Sequence, residues 1–169
     1  MRASTTRARV YNLLRRTMSQ GTRNRLKRDL ARMRKRLGPL YRIRFGAFDA
    51  QDLCAELASR LTPETEIVMV HCSVNNLEPM YIGTVSELLD GLIELCGAKR
   101  TLAMPAFFLG GADTDPAAYY RRTPAFDARR QPSQMGILSE LFRRRAGVLR
   151  SLHPTASVCA LGRSVTAVA

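Results

Sequence analysis

His153 stands in the run Arg150-Ser151-Leu152-His153-Pro154-Thr155-Ala156-Ser157. Pro154 disfavours αR geometry for the residue before it, which restricts the backbone carrying the imidazole. A fixed imidazole with the hydroxyls of Thr155 and Ser157 nearby in sequence can take a proton from an attacking amine. A lone histidine is more often structural, so this run by itself does not decide between the two roles. His71, Cys72 and Ser73 follow the apolar run Ile67-Val68-Met69-Val70. In an open α/β sheet, ligands gather beyond the carboxyl ends of strands, where these three residues fall. Ser133 and Gly136 belong to Pro132-Ser133-Gln134-Met135-Gly136, a polar loop feeding a helix. Free N–H groups at such a helix start suit an anion such as a pyrophosphate, although an ordinary capped helix explains the same residues.

Several chemistries lack their residues. The two histidines are far apart and no ligand pair shares a helical face, so no metal is expected. Cys54, Cys72, Cys96 and Cys159 show no C-x-x-C spacing and read as reduced thiols, some of them buried. Neither the glycine-rich loops of nucleotide-binding folds nor a G-x-S-x-G elbow is present.

The elements that must position these residues can be read from caps and periodicity. Asp49 caps a helix carrying Leu53, Leu57 and Leu61, stopped by Pro63. Ile67 to Val70 reads as a short buried strand. Thr84 with Glu87 forms a capping box for a helix that runs to Gly97. Thr101 to Met104 is a second strand, ended by Pro105. Strand, helix, strand makes a right-handed crossover with a parallel pair. Residues 109–132 read as irregular, with Gly110, Gly111, Pro116, Pro124 and Pro132. A helix is expected from about Gln134 to Arg144 with Ser133 as its cap. Val148-Leu149-Arg150 and Ala156 to Ala160 are expected to be extended, and Arg163 to Ala169 to begin a helix.

The net charge of +13 is concentrated at one end. Residues 1–45 hold 15 Lys/Arg against one acid, Asp29, whereas residues 46–169 hold 12 against 13. A boundary is therefore expected near Gly38-Pro39 and Gly46. Leu26, Leu30, Met33 and Leu37 recur at spacings of four, three and four, which makes one apolar helical stripe among arginines and lysines. Val10, Leu13 and Leu14 hint at a shorter helix before it. Packing of the stripe on its own domain or on a sister subunit in a homo-oligomer ranks first. Peripheral contact with an anionic membrane surface ranks second. Nucleic-acid binding is not expected, because neither interleaved aromatics nor a known motif accompanies the charge. No apolar stretch approaches the ~20 residues that span a bilayer, and no apolar region of a secretory signal follows the N-terminus. The Arg-rich start has the composition of a mitochondrial transit peptide, but a cytoplasmic protein is the expectation.

Taken in order, several segments resemble the aminoglycoside 3-N-acetyltransferase family. They are Val70-His71-Cys72-Ser73, Gly97 through Thr101-Leu102-Ala103-Met104-Pro105-Ala106-Phe107, Phe126-Asp127, Pro132 to Arg143, and Gly147 to Gly162. The last two joined are the specific part, and the match spans roughly residues 50–162. The resemblance implies transfer of an acetyl group from acetyl-CoA to an amine of an aminoglycoside, an antibiotic-resistance activity, or of another amino sugar. It implies an α/β fold: a mixed sheet with a parallel βαβ core flanked by helices, present here as a partial domain over 46–169 after a basic helical extension over 1–45. His153 would be the base in a direct attack. His71, Cys72, Ser73, Ser133 and Gly136 would lie along the cofactor, and Thr155 and Ser157 would line the pocket of the small-molecule amine. Cys72 beside a histidine is the ping-pong alternative, but the family usually has Ser at that position. Family members continue past the His-Pro segment, adding strands and acidic groups that assist the histidine. Since the chain stops at Ala169, the resemblance implies a product truncated at its C-terminus. The alternative expectation is a non-catalytic CoA-binding or interaction protein of the same fold. The basic arm is foreign to the classical antibiotic-modifying members, and the arm together with the Asn75-Asn76-Leu77-Glu78-Pro79-Met80 loop resembles relatives that acetylate amino sugars or other metabolites.

Overall fold

The computed structural model describes residues 19–111, 115–123 and 125–165. Two compact units divide the chain, Met1–Gly46 and Ala47–Ala169.

In the first unit, helix α1 spans Gln20–Arg36 and α2 spans Gly38–Phe45. Pro39 lies in the first turn of α2, where its missing N–H costs nothing. Backbone bonds from Leu37 N–H to Met33 O (2.9 Å) and from Tyr41 N–H to Leu37 O (3.1 Å) carry the helical path past the interruption. The anticipated helix near Val10 lies outside the described residues.

The second unit begins with α3, Ala50–Arg60, whose Asp49 and Asp52 exchange capping bonds with each other's backbone N–H. Strand β1 is Ile67–Met69, and a short helix α4, Val74–Leu77, follows its carboxyl end. Helix α5, Val85–Cys96, has the reciprocal Thr84–Glu87 capping box and ends at Gly97, φ 52°. Strand β2 is Thr101–Pro105, and α6 is Pro116–Arg122. Helix α7 is Ile137–Arg143, followed by β3, Leu149–Arg150, and β4, Val158–Gly162.

The sheet order is β1-β2-β4-β3. β1 and β2 are parallel, Ile67 opposite Thr101, and joined through α5. β4 runs antiparallel to β2, with Pro105 opposite Val158, and β3 antiparallel to β4. One face carries the core: Leu88, Leu89, Leu92 and Cys96 of α5 and Leu138 and Phe142 of α7 pack with Leu102, Met104 and Cys159. Every residue of β2 is buried, and the strand is hydrogen-bonded on both sides, by β1 and by β4. Gly162 ends β4 at φ 132°, and a Cβ there would lie 2.8 Å from the Thr101 Cα. No side chain fits where the β2 backbone passes so close.

Three sequence expectations change. β1 is not buried: it is the sheet edge, and Ile67 and Met69 are 43% and 55% exposed while Val68 packs on the core. Residues 109–132 are not wholly irregular, because Asp115 accepts a bond from Ala118 N–H and caps α6, with Pro116 in its first turn. Helix α7 starts three residues later than expected, since its cap is Gly136 at φ 110° and not Ser133. The anticipated helix from Arg163 lies mostly outside the described residues.

Candidate functional site

The register puts several loops at one end of the sheet. His71-Cys72-Ser73 leaves the carboxyl end of β1, Pro105-Ala106-Phe107 leaves that of the parallel β2, and the β3–β4 turn returns beside Pro105. Ala106 N–H donates to Ser157 O (2.8 Å), fixing the turn against β2.

Arg150 is the organiser that sequence patterns did not single out. Its Nε donates to Ser157 Oγ (3.0 Å) and its Nη2 to Ala106 O (2.5 Å). Its Nη1 donates to Ala128 O (3.2 Å) and to Gln131 O, and the guanidinium lies over the Phe126 ring, 5.2 Å from the centroid. The planar fork thus ties β2, the 126–131 loop and the His153 turn together, a geometry that lysine cannot reproduce. Burial pulls the Arg150 pKa below its ordinary value.

Ser157 is fully buried, so its hydroxyl faces this scaffold and not an open pocket. It donates to Ala106 O (2.8 Å) while accepting from Arg150. His153 is exposed and Thr155 half-buried. The His153 Nδ1 accepts from Ala156 N–H (2.9 Å) and lies 3.4 Å from the Thr155 hydroxyl. An imidazole that accepts at Nδ1 carries its neutral-state proton on Nε2. The hydrogen-bond network assigns that tautomer, and among the described residues no carboxylate pairs with the ring. Tyr120, also unanticipated, braces the turn: its hydroxyl lies 2.6 Å from Pro154 O and 3.0 Å from Phe108 O.

Ser133 and Gly136 flank Gln134, which staples their loop to the one after β2. Gln134 N–H donates to Phe107 O (2.8 Å), its Oε1 accepts from Leu109 N–H (2.8 Å), and its Nε2 donates to Gly110 O (2.6 Å). Ser133 N–H donates to Glu140 Oε2 (2.7 Å), so a carboxylate of the chain itself serves that corner. Burial alone would raise the Glu140 pKa, but bonds from Arg143, Ser133 N–H and Arg144 hold it down at about 2.

His71 and Ser73 are exposed and Cys72 is half-buried. Burial pushes the Cys72 thiol up from its ordinary value, the opposite of what an attacking thiolate needs. Burial likewise raises Cys54 and Cys96, and carries Cys159 to about 11.

An open, mixed sheet with loops converging beyond the end of its parallel pair places this unit in the α/β class, whose ligands gather at such strand ends. The chain belongs to a family described as aminoglycoside 3-N-acetyltransferase, whose profile matches residues 69–169. Among solved structures it is similar to aminoglycoside acetyltransferase AAC(3)-Xa, 29% identical with a TM-score of 0.59, over 76% of this chain and 48% of that one. It is also similar to AAC-VIa bound to sisomicin, 27% identical with a TM-score of 0.57, over 73% of this chain and 49% of that one. A third is AAC-IIIb in a binary complex with CoASH, 27% identical with a TM-score of 0.53, over 70% of this chain and 47% of that one. The chain therefore spans less than half the length of each of these structures. Among the described residues no helix is long and apolar enough to cross a membrane.

Proposed function

We propose that this α/β unit serves acetyl transfer from acetyl-CoA to an amine of an aminoglycoside or related amino sugar, by direct attack with His153 as the base. The carrying observation is the exposed His153 imidazole on a turn locked to the end of β2 through Arg150, Ser157 and Ala106. When bound, acetyl-CoA supplies the acyl carbon and a thiolate leaving group. The loops fit an extended donor of this kind: His71, Ser73 and Gly136 are exposed, and a Cβ built on Gly136 meets nothing within 4 Å.

Once its proton sits on Nδ1, so that Nε2 carries a free lone pair, His153 takes the proton that the acceptor nitrogen loses as the C–N bond forms, and returns it to the sulfur as the C–S bond breaks. The raised pKa of Cys72 disfavours the thiolate that a ping-pong acyl-enzyme needs, which supports direct attack. Arg150 and Tyr120 hold the His153 turn in place. Proton transfer of this kind contributes about 10²–10⁴-fold, so loss of the imidazole should cost that much rate and leave donor binding nearly intact.

One observation favours a second reading, a non-catalytic CoA-binding or interaction protein of the same fold. The Nδ1 of His153 is taken by its own turn, and no described carboxylate pairs with the ring. Release of free CoA thiol by the full chain with a panel of aminoglycosides and amino sugars separates the two. Turnover lost in His153→Ala with acetyl-CoA affinity retained supports the enzyme. Acetyl-CoA binding by folded protein without thiol release supports the second reading.

A further inference from the structure

We propose that helices α1 and α2 form a docking surface for an anionic phospholipid membrane, lying in the headgroup plane. At about 100° per residue, Leu26, Leu30, Met33 and Leu37 fall within roughly 60° of one another, forming a single stripe. The stripe is open along its length: these four side chains are 41%, 45%, 51% and 38% exposed. On α2, Leu40, Ile43 and Phe45 are 64%, 83% and 66% exposed. Tyr41 and Phe45 stack at 5.9 Å between ring centroids, giving the arm an aromatic end of the kind that settles at a membrane–water interface.

The charge decides what covers this face. Residues 1–45 carry 15 Lys/Arg, and their single acid, Asp29, lies 3.7 Å from Arg32. Pairing the stripe with that of a second copy would bring two such cationic arms together and set like charges side by side. Nucleic acid would take the cations and leave the stripe in water. A bilayer rich in anionic lipid accepts both parts, the apolar stripe entering the acyl boundary while the guanidinium groups stay at the phosphates. Neither helix is long and apolar enough to span the membrane, so the arm lies on it.

Co-sedimentation of the full chain with vesicles tests this. The two compositions are pure phosphatidylcholine, and equal parts phosphatidylcholine and phosphatidylglycerol. Partitioning is expected to be at least about a hundred-fold stronger on the anionic vesicles and to collapse at high salt. The triple variant Arg25→Gln, Arg32→Gln, Arg36→Gln should weaken it by roughly a hundred-fold. Leu30→Gln with Met33→Gln, which keeps good helix formers and all the charge, should weaken it by about tenfold or more. Equal partitioning on both vesicle types overturns the proposal. So does anionic binding that ignores Leu30→Gln with Met33→Gln, since the stripe would then play no part. Dimerisation of vesicle-free protein through the stripe, read by sedimentation equilibrium and lost in the same variant, also overturns it. So does binding of duplex DNA that is tighter than vesicle binding at the same salt.

Discussion

Glu140→Gln is the most informative single change for the architecture of the site. Glu140 Oε1 accepts from Arg143 Nη2 and Arg144 Nε, both at 2.7 Å, while Oε2 accepts from Arg143 Nε (2.9 Å) and Ser133 N–H (2.7 Å). Its side chain and that of Arg143 are only 15% and 8% exposed, so solvent screens the pair weakly. The carboxyl is held at about 2 against an ordinary 4.5. At 1.36 kcal/mol per pK unit, that gap corresponds to about 3 kcal/mol of stability. Because the folded-state pKa is the lower one, this stability is fully present above pH 4.5 and fades as pH falls toward 2. Glutamine keeps the shape but loses the charge, and its amide hydrogens turn toward Arg143. Urea unfolding of the full chain should therefore show Glu140→Gln less stable by about 3 kcal/mol at neutral pH, with the difference closing as the buffer approaches pH 2. Arg144→Gln should cost below about 1 kcal/mol, because Arg144 is 65% exposed. Amide exchange at Ser133 should accelerate in Glu140→Gln and stay unchanged in Arg144→Gln. A Glu140→Gln protein as stable as the parent at neutral pH, or equally destabilised at every pH, would refute the reasoning.

Arg150→Lys should destabilise the protein by about 3 kcal/mol, since a point charge cannot serve carbonyls on separate segments; a melting temperature within a degree or two of the parent would contradict this. Gly162→Ala should cost several kcal/mol by urea unfolding, because φ 132° strains an L-residue and its Cβ would crowd the Thr101 Cα; near-neutral behaviour would mean the β2–β4 approach relaxes freely. Cys72 should alkylate with iodoacetamide along a pH profile displaced to the basic side of a free thiol, and Cys72→Ser should keep whatever acetyl transfer the chain performs; a profile on the acidic side would restore the ping-pong alternative. Nitrogen-15 shifts of the neutral His153 ring should show the proton on Nε2, and a Nδ1–H form would mean that the Ala156 bond is absent in solution.

The parts legible in the sequence are those whose signals are local. Asp49 and the Thr84–Glu87 pair announce their helices because a cap needs only residues three apart, and the structure forms both boxes. Helix α6 carried an equally local signal, Asp115 before Pro116, but the surrounding glycines and prolines masked it. The burial of β1 was misjudged because an apolar run does not say whether a strand is central or at an edge, and Ile67 and Met69 stay open. At the candidate site, the His153-Pro154 run and the strand ends could be read directly. Arg150, Gln134 and Tyr120 could not, because their partners are mostly backbone carbonyls up to 44 residues away, and a carbonyl leaves no mark on the sequence. Ser157 was drawn toward the acceptor by its nearness to His153, while strand pairing turns its hydroxyl inward.

What the His153 turn supplies is orientation, and orientation alone does not make a base. With Nδ1 accepting from Ala156 N–H, the outward nitrogen is a donor, suited to hold an oxygen but unable to take a proton. Proton abstraction at Nε2 needs the other tautomer, hence an acceptor that draws a proton onto Nδ1 more strongly than the turn offers its N–H. The described carboxylates are committed elsewhere or lie away from the ring: Glu140 to Arg143 and Arg144, Asp90 to Arg145, Glu56 to Arg60. The step on which acetyl transfer by this chain depends is therefore the arrival of a carboxylate, or of the acceptor's own polar groups, at the Nδ1 side of the imidazole. Arg150 fixes the ring against β2, but among the described residues it brings no charge that switches the tautomer. Thiol release by the chain alone, with the Nε2–H tautomer persisting in the presence of substrate, would break this link between tautomer and turnover.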